Sequence, residues 1–378
     1  MTFMPAKYWK SECTKPTYLI KKNKKESMSL ITLKTLIFIC LTTLISSCNG
    51  QEYRNDPGNR SIQTSIGTQN SILVNKPKEQ ISQVVRMMFQ DSKGNIWFGA
   101  ENGAWKLTGQ TLIHIDSIKS ESGKGVTIKD IIEDKDGTIW LGHTDGISSI
   151  KGETVTNYYQ SDGLISHAVW CIGSDDEGKI WIGTMEGACI FDGNTFSNFE
   201  LPLGIKDTTV AVSSDKMINK IFRDRKGILW IASNAGLFSY SNNTLTNVSK
   251  KMGIKTNFVS IGFEDKAEVL WISSKEGLYT LNDGVTKKIT DSNIEIGKGI
   301  GSIAEDKDGK IWFVVNQHYL YTYDGKEITE FKKSEENKGP VVFQIYKDQS
   351  ERMWFVGYGG AYRLENDRFI NITKDGPW

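Results

Sequence analysis

The chain has 378 residues, with Lys+Arg 46 against Asp+Glu 45, 36 glycines and only 7 prolines. This balanced charge leaves no basic excess to release counterions from a phosphate backbone, which argues against nucleic acid as a partner. Length alone suggests two or three domains, but an internal repeat overrides that expectation.

In chain order, Lys21, Lys22, Lys24, Lys25 and Lys34 precede an apolar run over residues 36–45. A helix needs about twenty apolar residues to cross a bilayer, so this run reads as the core of a secretory signal. Ile45-Ser46-Ser47-Cys48 follows and resembles a bacterial lipobox, whose cysteine is acylated and becomes the first residue. Residues 1–47 are thus expected to be a signal peptide, with Met28 as a more typical start, and Cys48 a lipidation site. Acyl chains bind membranes in proportion to their buried methylenes. The mature chain is therefore expected on the envelope of a Gram-negative-type bacterium, in the outer membrane or facing the periplasm. Residues 48–78, rich in Asn, Gln, Ser and Gly, read as the lipidated cysteine and a flexible tether, within which 71–74 has strand composition.

From residue 79 the chain repeats itself. Trp97, Trp140, Trp181, Trp230, Trp271, Trp312 and Trp354 recur at intervals of 43, 41, 49, 41, 41 and 42 residues. That period is the length of one four-stranded propeller blade. Six residues before each stands an aspartate: Asp91, Asp134, Asp175, Asp224, Asp265, Asp306 and Asp348. Three residues before Trp stands glycine in five repeats, with Glu268 and Glu351 in the others. Six residues after Trp comes glycine again, except in the sixth repeat, where that count falls on His318. The pattern predicts an all-β fold over 79–378: a seven-bladed propeller of four-stranded antiparallel blades.

The third repeat shows the expected anatomy. Residues 168–174 are apolar on nearly every side, as expected of an inner strand between neighbouring blades. Asp175-Asp176-Glu177-Gly178 is the hairpin, where aspartate accepts backbone N–H groups and glycine supplies positive φ. Trp181 lies on the second strand and should wedge between sheets, burying about 200 Å². Small residues two places after Trp (Gly99, Gly142, Gly183) indicate close backbone approach. Cys171 and Cys189 fall on the first and third strands, about 9–10 Å apart, beyond disulfide reach; two buried free thiols are expected. The seventh repeat is complete, so the ring is expected to close without borrowing an N-terminal strand.

Glu133-Asp134-Lys135-Asp136-Gly137-Thr138-Ile139-Trp140 and Glu305-Asp306-Lys307-Asp308-Gly309-Lys310-Ile311-Trp312 resemble the two-component regulator propeller repeat. The linkers opening at Gly163 and Gly253, each 18 residues before its Trp, match that family's linker as well. The resemblance implies a propeller like those in the sensor parts of bacterial hybrid histidine kinases, where such domains take part in detecting oligosaccharides outside the cytoplasm. No kinase, receiver or DNA-binding segment follows the seventh repeat, so the expected activity is recognition: a lipid-anchored module binding an oligosaccharide, a peptide or a partner protein.

No metal and no cofactor is expected. Asp134-Lys135-Asp136-Gly137 opens like a calcium loop but lacks the bidentate glutamate at the loop's twelfth position, and a strand begins where the loop should continue. A sialidase Asp-box would place aspartate five residues before Trp, not six. The enzyme alternative is a streptogramin-lyase-like propeller using a mouth histidine as general base. By register, His143, His167 and His318 lie at the end of the ring opposite the aspartate hairpins. Ligand-binding candidates on that end are His143, His167, Asn234, Lys275, Asn316, His318, Tyr319 and Tyr358. Blades six and seven depart from the repeat there, and loops that leave a repeat pattern are where function enters a scaffold.

Overall fold

A computed structural model of the protein describes residues 79–378, apart from 210, 255–257, 291–293, 295–298 and 332–339. The signal peptide, Cys48, the tether, residues 71–74 and part of the linker after Gly253 lie outside the described residues. Seven four-stranded antiparallel sheets follow one another, each built from four consecutive strands. The inner strands are Val85–Gln90, Ile128–Glu133, Val169–Ser174, Ile218–Arg223, Val259–Glu264, Ile300–Glu305 and Val341–Lys347. Each packs beside the next, and the last returns to the first, so the ring is closed.

The recurring Asp and Trp prove to be one device. In all seven blades the indole Nε1–H donates to the aspartate Oδ2 six residues earlier, at 2.7–2.9 Å. The same carboxylate's Oδ1 takes the backbone N–H four residues on, closing the hairpin. One charged acceptor thus satisfies both a turn and a buried indole, a hydrogen bond of the stronger, charge-assisted kind. The seven tryptophans are at most 7% exposed. The residue three before Trp adopts positive φ in every blade, including Glu268 at 62° and Glu351 at 61°. Glycine is absent there at a strain cost of about 1–2 kcal/mol per residue.

Blades are joined by two polar belts that the sequence reading did not anticipate. At the hairpin end, Glu133, Glu264, Glu305 and Gln90 reach back to accept the N–H just after the preceding blade's aspartate, at 2.7–2.9 Å. Nearer mid-channel, Asp130, Ser302 and Gln344 accept an inner-strand N–H of the following blade. The apolar wedges lie outside these belts. Gly99 and Gly142 are required by close approach, since a Cβ there would meet Ile128 Cγ2 at 2.7 Å and Val169 Cγ1 at 2.8 Å. Cys171 and Cys189 are buried free thiols, as their strand spacing requires.

Blade seven supplies all four of its strands, so no N-terminal strand completes it. Residues 79–84 instead run against it as a latch. Gly359 N–H donates to Gln83 O at 2.8 Å and Lys374 N–H to Glu79 O at 2.8 Å, while Ile81 enters the core beside Trp354 and Ile372.

Candidate functional site: a bulge ring in the central channel

Every inner strand carries a β-bulge near its start, at its second residue in blades one to six and at its third in blade seven. The inserted residue pairs with nothing on the second strand, and such bulges re-aim a side chain. Seven bulges at one level make a ring: Arg86, Lys129, Trp170, Asn219, Ser260, Gly301 and Phe343, one per blade. All seven line the central channel, a cavity of about 590 Å³. That volume lies within the usual range of small-molecule sites.

The ring is lopsided. Over four consecutive blades, seven through three, it reads Phe343, Arg86, Lys129, Trp170, with each cation against an outer ring. The Arg86 guanidinium lies 4.9 Å from the Phe343 centroid and Lys129 Nζ lies 4.5 Å from that of Trp170. The other three blades contribute Asn219, Ser260 and Gly301, which leave the space open. Burial, and then the neighbouring Arg86 charge, pull the Lys129 ammonium down to about 8. Just below, Asp130 and Lys220 pair across blade three, with Lys220 Nζ at 3.0 Å from Oδ2 and 3.2 Å from Oδ1. Burial opposes the Lys220 charge, but Asp130 overrides it and holds the ammonium above the usual lysine value.

Three segments of the chain, residues 79–102, 122–145 and 163–186, match the family model of the two component regulator propeller. Those three segments are similar to two-component regulator propeller repeats. Among solved structures, the extracellular domain of a hybrid two-component system from B. thetaiotaomicron has a TM-score of 0.60 to this chain at 17% identity, covering 75% of this chain and 39% of its own. A second such domain from that organism scores 0.57 at 20% identity, covering 77% and 40%. The chain therefore spans about two fifths of the sensor domains it matches. Virginiamycin B lyase from Staphylococcus aureus scores 0.58 at 14% identity, covering 75% of this chain and 96% of its own. Identities this low show a shared fold. No curated protein matches the sequence. Among the described residues, no helix is long and apolar enough to cross a membrane.

Within the propeller, the candidates read from sequence separate into scaffold and surface. His143 is 0% exposed, which removes it as a ligand contact. It ends the second strand at the place where Thr184, Ser233 and Ser274 cap the turn by accepting the N–H two residues on. His143 does the same through Nδ1, from Asp145 N–H at 3.2 Å, so its Nε2–H donates to Ser148 Oγ at 3.0 Å. Asn234, 3% exposed, is also scaffold. Its amide pins the long linker 200–217 through Ser213 Oγ and Ser214 O, at 2.9 and 2.7 Å. Lys275 holds that linker from blade five, binding Asp207 at 2.5 Å and Thr209 at 2.7 Å and lying over Phe258.

The other candidates stand outward. Tyr358 is 51% exposed and its ring lies 5.1 Å from Phe343, so it borders the bulge ring directly. His167 is exposed at the entry to blade three, with Nδ1 3.3 Å from Gln160 Oε1. His318 does not replace the glycine of other blades. Val315 pairs with Tyr319, so the blade-six turn is one residue longer, with Asn316 and Gln317 at φ 53° and 65°. Asn316 and His318 belong to that extended turn, and Tyr319 opens the third strand. The bulge ring escaped the sequence reading because the inner strand of blade three, where the anatomy was read, is its least polar. Arg86, Lys129, Asp130, Asn219 and Lys220 on inner strands were the available signal.

The buried imidazole makes a pH prediction. Burial pulls His143 down to about 4, against a smaller opposing pull from Asp145 and the Ile147 backbone. A folded value below the unfolded one means that the unfolded chain takes up the proton first. His143 therefore gives no penalty above about pH 6.5 and costs increasing stability as pH falls to 4, on the order of 3 kcal/mol. Urea titrations from pH 7 to 4 should show His143→Gln losing distinctly less stability than wild type; parallel losses would refute this.

Proposed function

We propose that the chain is a ligand-binding propeller acting outside the cytoplasm, anchored through lipid on Cys48, which recognises an oligosaccharide, a peptide or a segment of a partner protein without chemically altering it. The observation that carries this reading is the bulge ring. A scaffold needs no aromatic or charged residue at an unpaired position facing an open channel, yet blades seven, one, two and three place four there. The aromatic faces supply apolar and cation–π contact, and the rigid ring limits the ordering entropy lost on binding. The lipobox-like sequence before Cys48 and the extracellular setting of the B. thetaiotaomicron sensor domains support the location.

The lyase alternative draws on the scaffold shared with the S. aureus enzyme. Among the described residues no histidine lines the channel, which leaves exposed His167 and His318 to that reading. Calorimetric titration of the full chain against neutral and charged oligosaccharides and peptides tests the proposal. Trp170→Ala or Phe343→Ala should weaken the ligand found by roughly tenfold, the scale of a lost stacking or cation–π contact, while Trp105→Ala on blade one's third strand should not. Product formation abolished by His167→Ala or His318→Ala would establish the lyase instead. Cys48→Ala should release the protein from the membrane fraction.

A further inference from the structure

We propose that the channel mouth is an anion site, in which the Arg86 guanidinium and the Lys129 ammonium together hold an oxyanion (carboxylate, sulfate or phosphate) of a small ligand whose body lies against Phe343 and Trp170. This deepens the reading of the bulge ring as the recognition site and rests on it.

Four observations converge. Arg86 and Lys129 are bulge residues of adjacent blades, half-buried in the same channel wall. Among the described residues, neither cation has a carboxylate partner, and Arg86 Nε is buried without any acceptor. The acid beside them, Asp130, is already committed to Lys220 and to the N–H groups of Ile131 and Ile172. The chain as a whole carries a net charge of only +1, so the pair does not reflect a generally basic protein. Two like charges, partly desolvated and side by side, oppose folding unless something compensates them. Phe343 and Trp170 compensate in part through their ring faces and fix the cations' positions. They accept no conventional hydrogen bond, which leaves the N–H donors available. Asn219, Ser260 and Gly301 leave the facing half of the channel open to the ligand's body. With its acidity near 8, Lys129 still carries its charge at neutral pH.

Titration of the full chain at pH 7 with glucuronate, its neutral amide and inorganic sulfate tests this. Glucuronate should bind at least tenfold more tightly than the amide. Arg86→Gln and Lys129→Gln should each weaken glucuronate by roughly ten- to hundredfold, the scale of a lost charge-assisted bond, and leave the amide unchanged. Sulfate binding that equals glucuronate and competes with it would show that the oxyanion alone is recognised, which also supports the site. Equal affinity for acid and amide, or variants that retain full affinity for the anions, would overturn it. Should neither anion bind while a neutral oligosaccharide or peptide binds in a Trp170-dependent way, the anion site falls and the channel reading stands. If no ligand depends on Trp170, both fall. A second readout needs no ligand: each single variant relieves like-charge repulsion, so its Tm should equal or exceed that of wild type. A lower Tm in both would contradict uncompensated charges.

Discussion

Trp354→Ala is expected to destabilise the protein by about 3–5 kcal/mol, the cost of removing a large aromatic from a packed core. The side chain is 0% exposed and sits at the seam where the last blade meets the first. It meets Phe98 of blade one edge-on, with centroids 6.1 Å apart, and packs in one cluster with Ile81, Val85 and Met88. Its indole N–H satisfies Asp348, itself 3% exposed, at 2.8 Å. Truncation therefore opens a cavity and removes a donor from a buried carboxylate at the ring's closing joint. Trp354→Phe retains most of the apolar volume and should cost less, about 1–3 kcal/mol for the hydrogen bond left unmade. Urea unfolding monitored by far-UV circular dichroism measures both. Losses below about 1 kcal/mol for Trp354→Ala would show that the seam does not depend on this wedge.

Lys220→Met is expected to cost about 3–5 kcal/mol, because it leaves the Asp130 carboxylate charged and without its cation. Asp130 is 2% exposed. Its oxygens accept from Lys220 and from two backbone N–H groups, one of them Ile172 in the next blade. Asp130→Asn in the same chain removes the orphaned charge and keeps a carbonyl oxygen for Ile172. The double variant should therefore recover to within about 1–2 kcal/mol of wild type, the scale of an ordinary hydrogen bond. Recovery is the informative outcome. A double variant as unstable as Lys220→Met would mean that Lys220 acts through packing of its methylene stem rather than through charge.

The scaffold was legible in the sequence because each blade meets the same physical demands. An indole at a blade-length period, an acceptor six residues before it and positive φ between them recur in every blade, whether the third position holds glycine or, as at Glu268 and Glu351, a strained side chain. Two parts were not legible. His143 looked like a candidate base because a lone histidine in a mouth loop gives no sign of its partners. Its role appears only when the position three after Trp is aligned across blades, with Thr184, Ser233 and Ser274 as its hydroxyl counterparts. The bulge ring was missed for a different reason. A bulge adds one residue without changing the repeat length, and alternation fails where a strand faces neighbouring blades on two sides and a channel on its third. Only the pairing register shows that Arg86, Lys129, Trp170 and Phe343 occupy one level. The same register corrects blade six, where a turn longer by one residue places Tyr319, not His318, opposite Val315.

The indole region of a ¹H–¹⁵N correlation spectrum tests most directly whether recognition happens at the bulge ring. The chain has 11 tryptophans, seven of them bonded to the repeat aspartates. Trp170 stands apart on the channel wall, and its signal can be assigned by its loss in Trp170→Phe. On titration with a ligand found by calorimetry, the Trp170 indole signal is expected to move in a saturable way while the seven aspartate-bonded signals hold still. A ligand that saturates while the Trp170 signal stays in place, or that moves Trp105 on the third strand of blade one instead, would contradict the account.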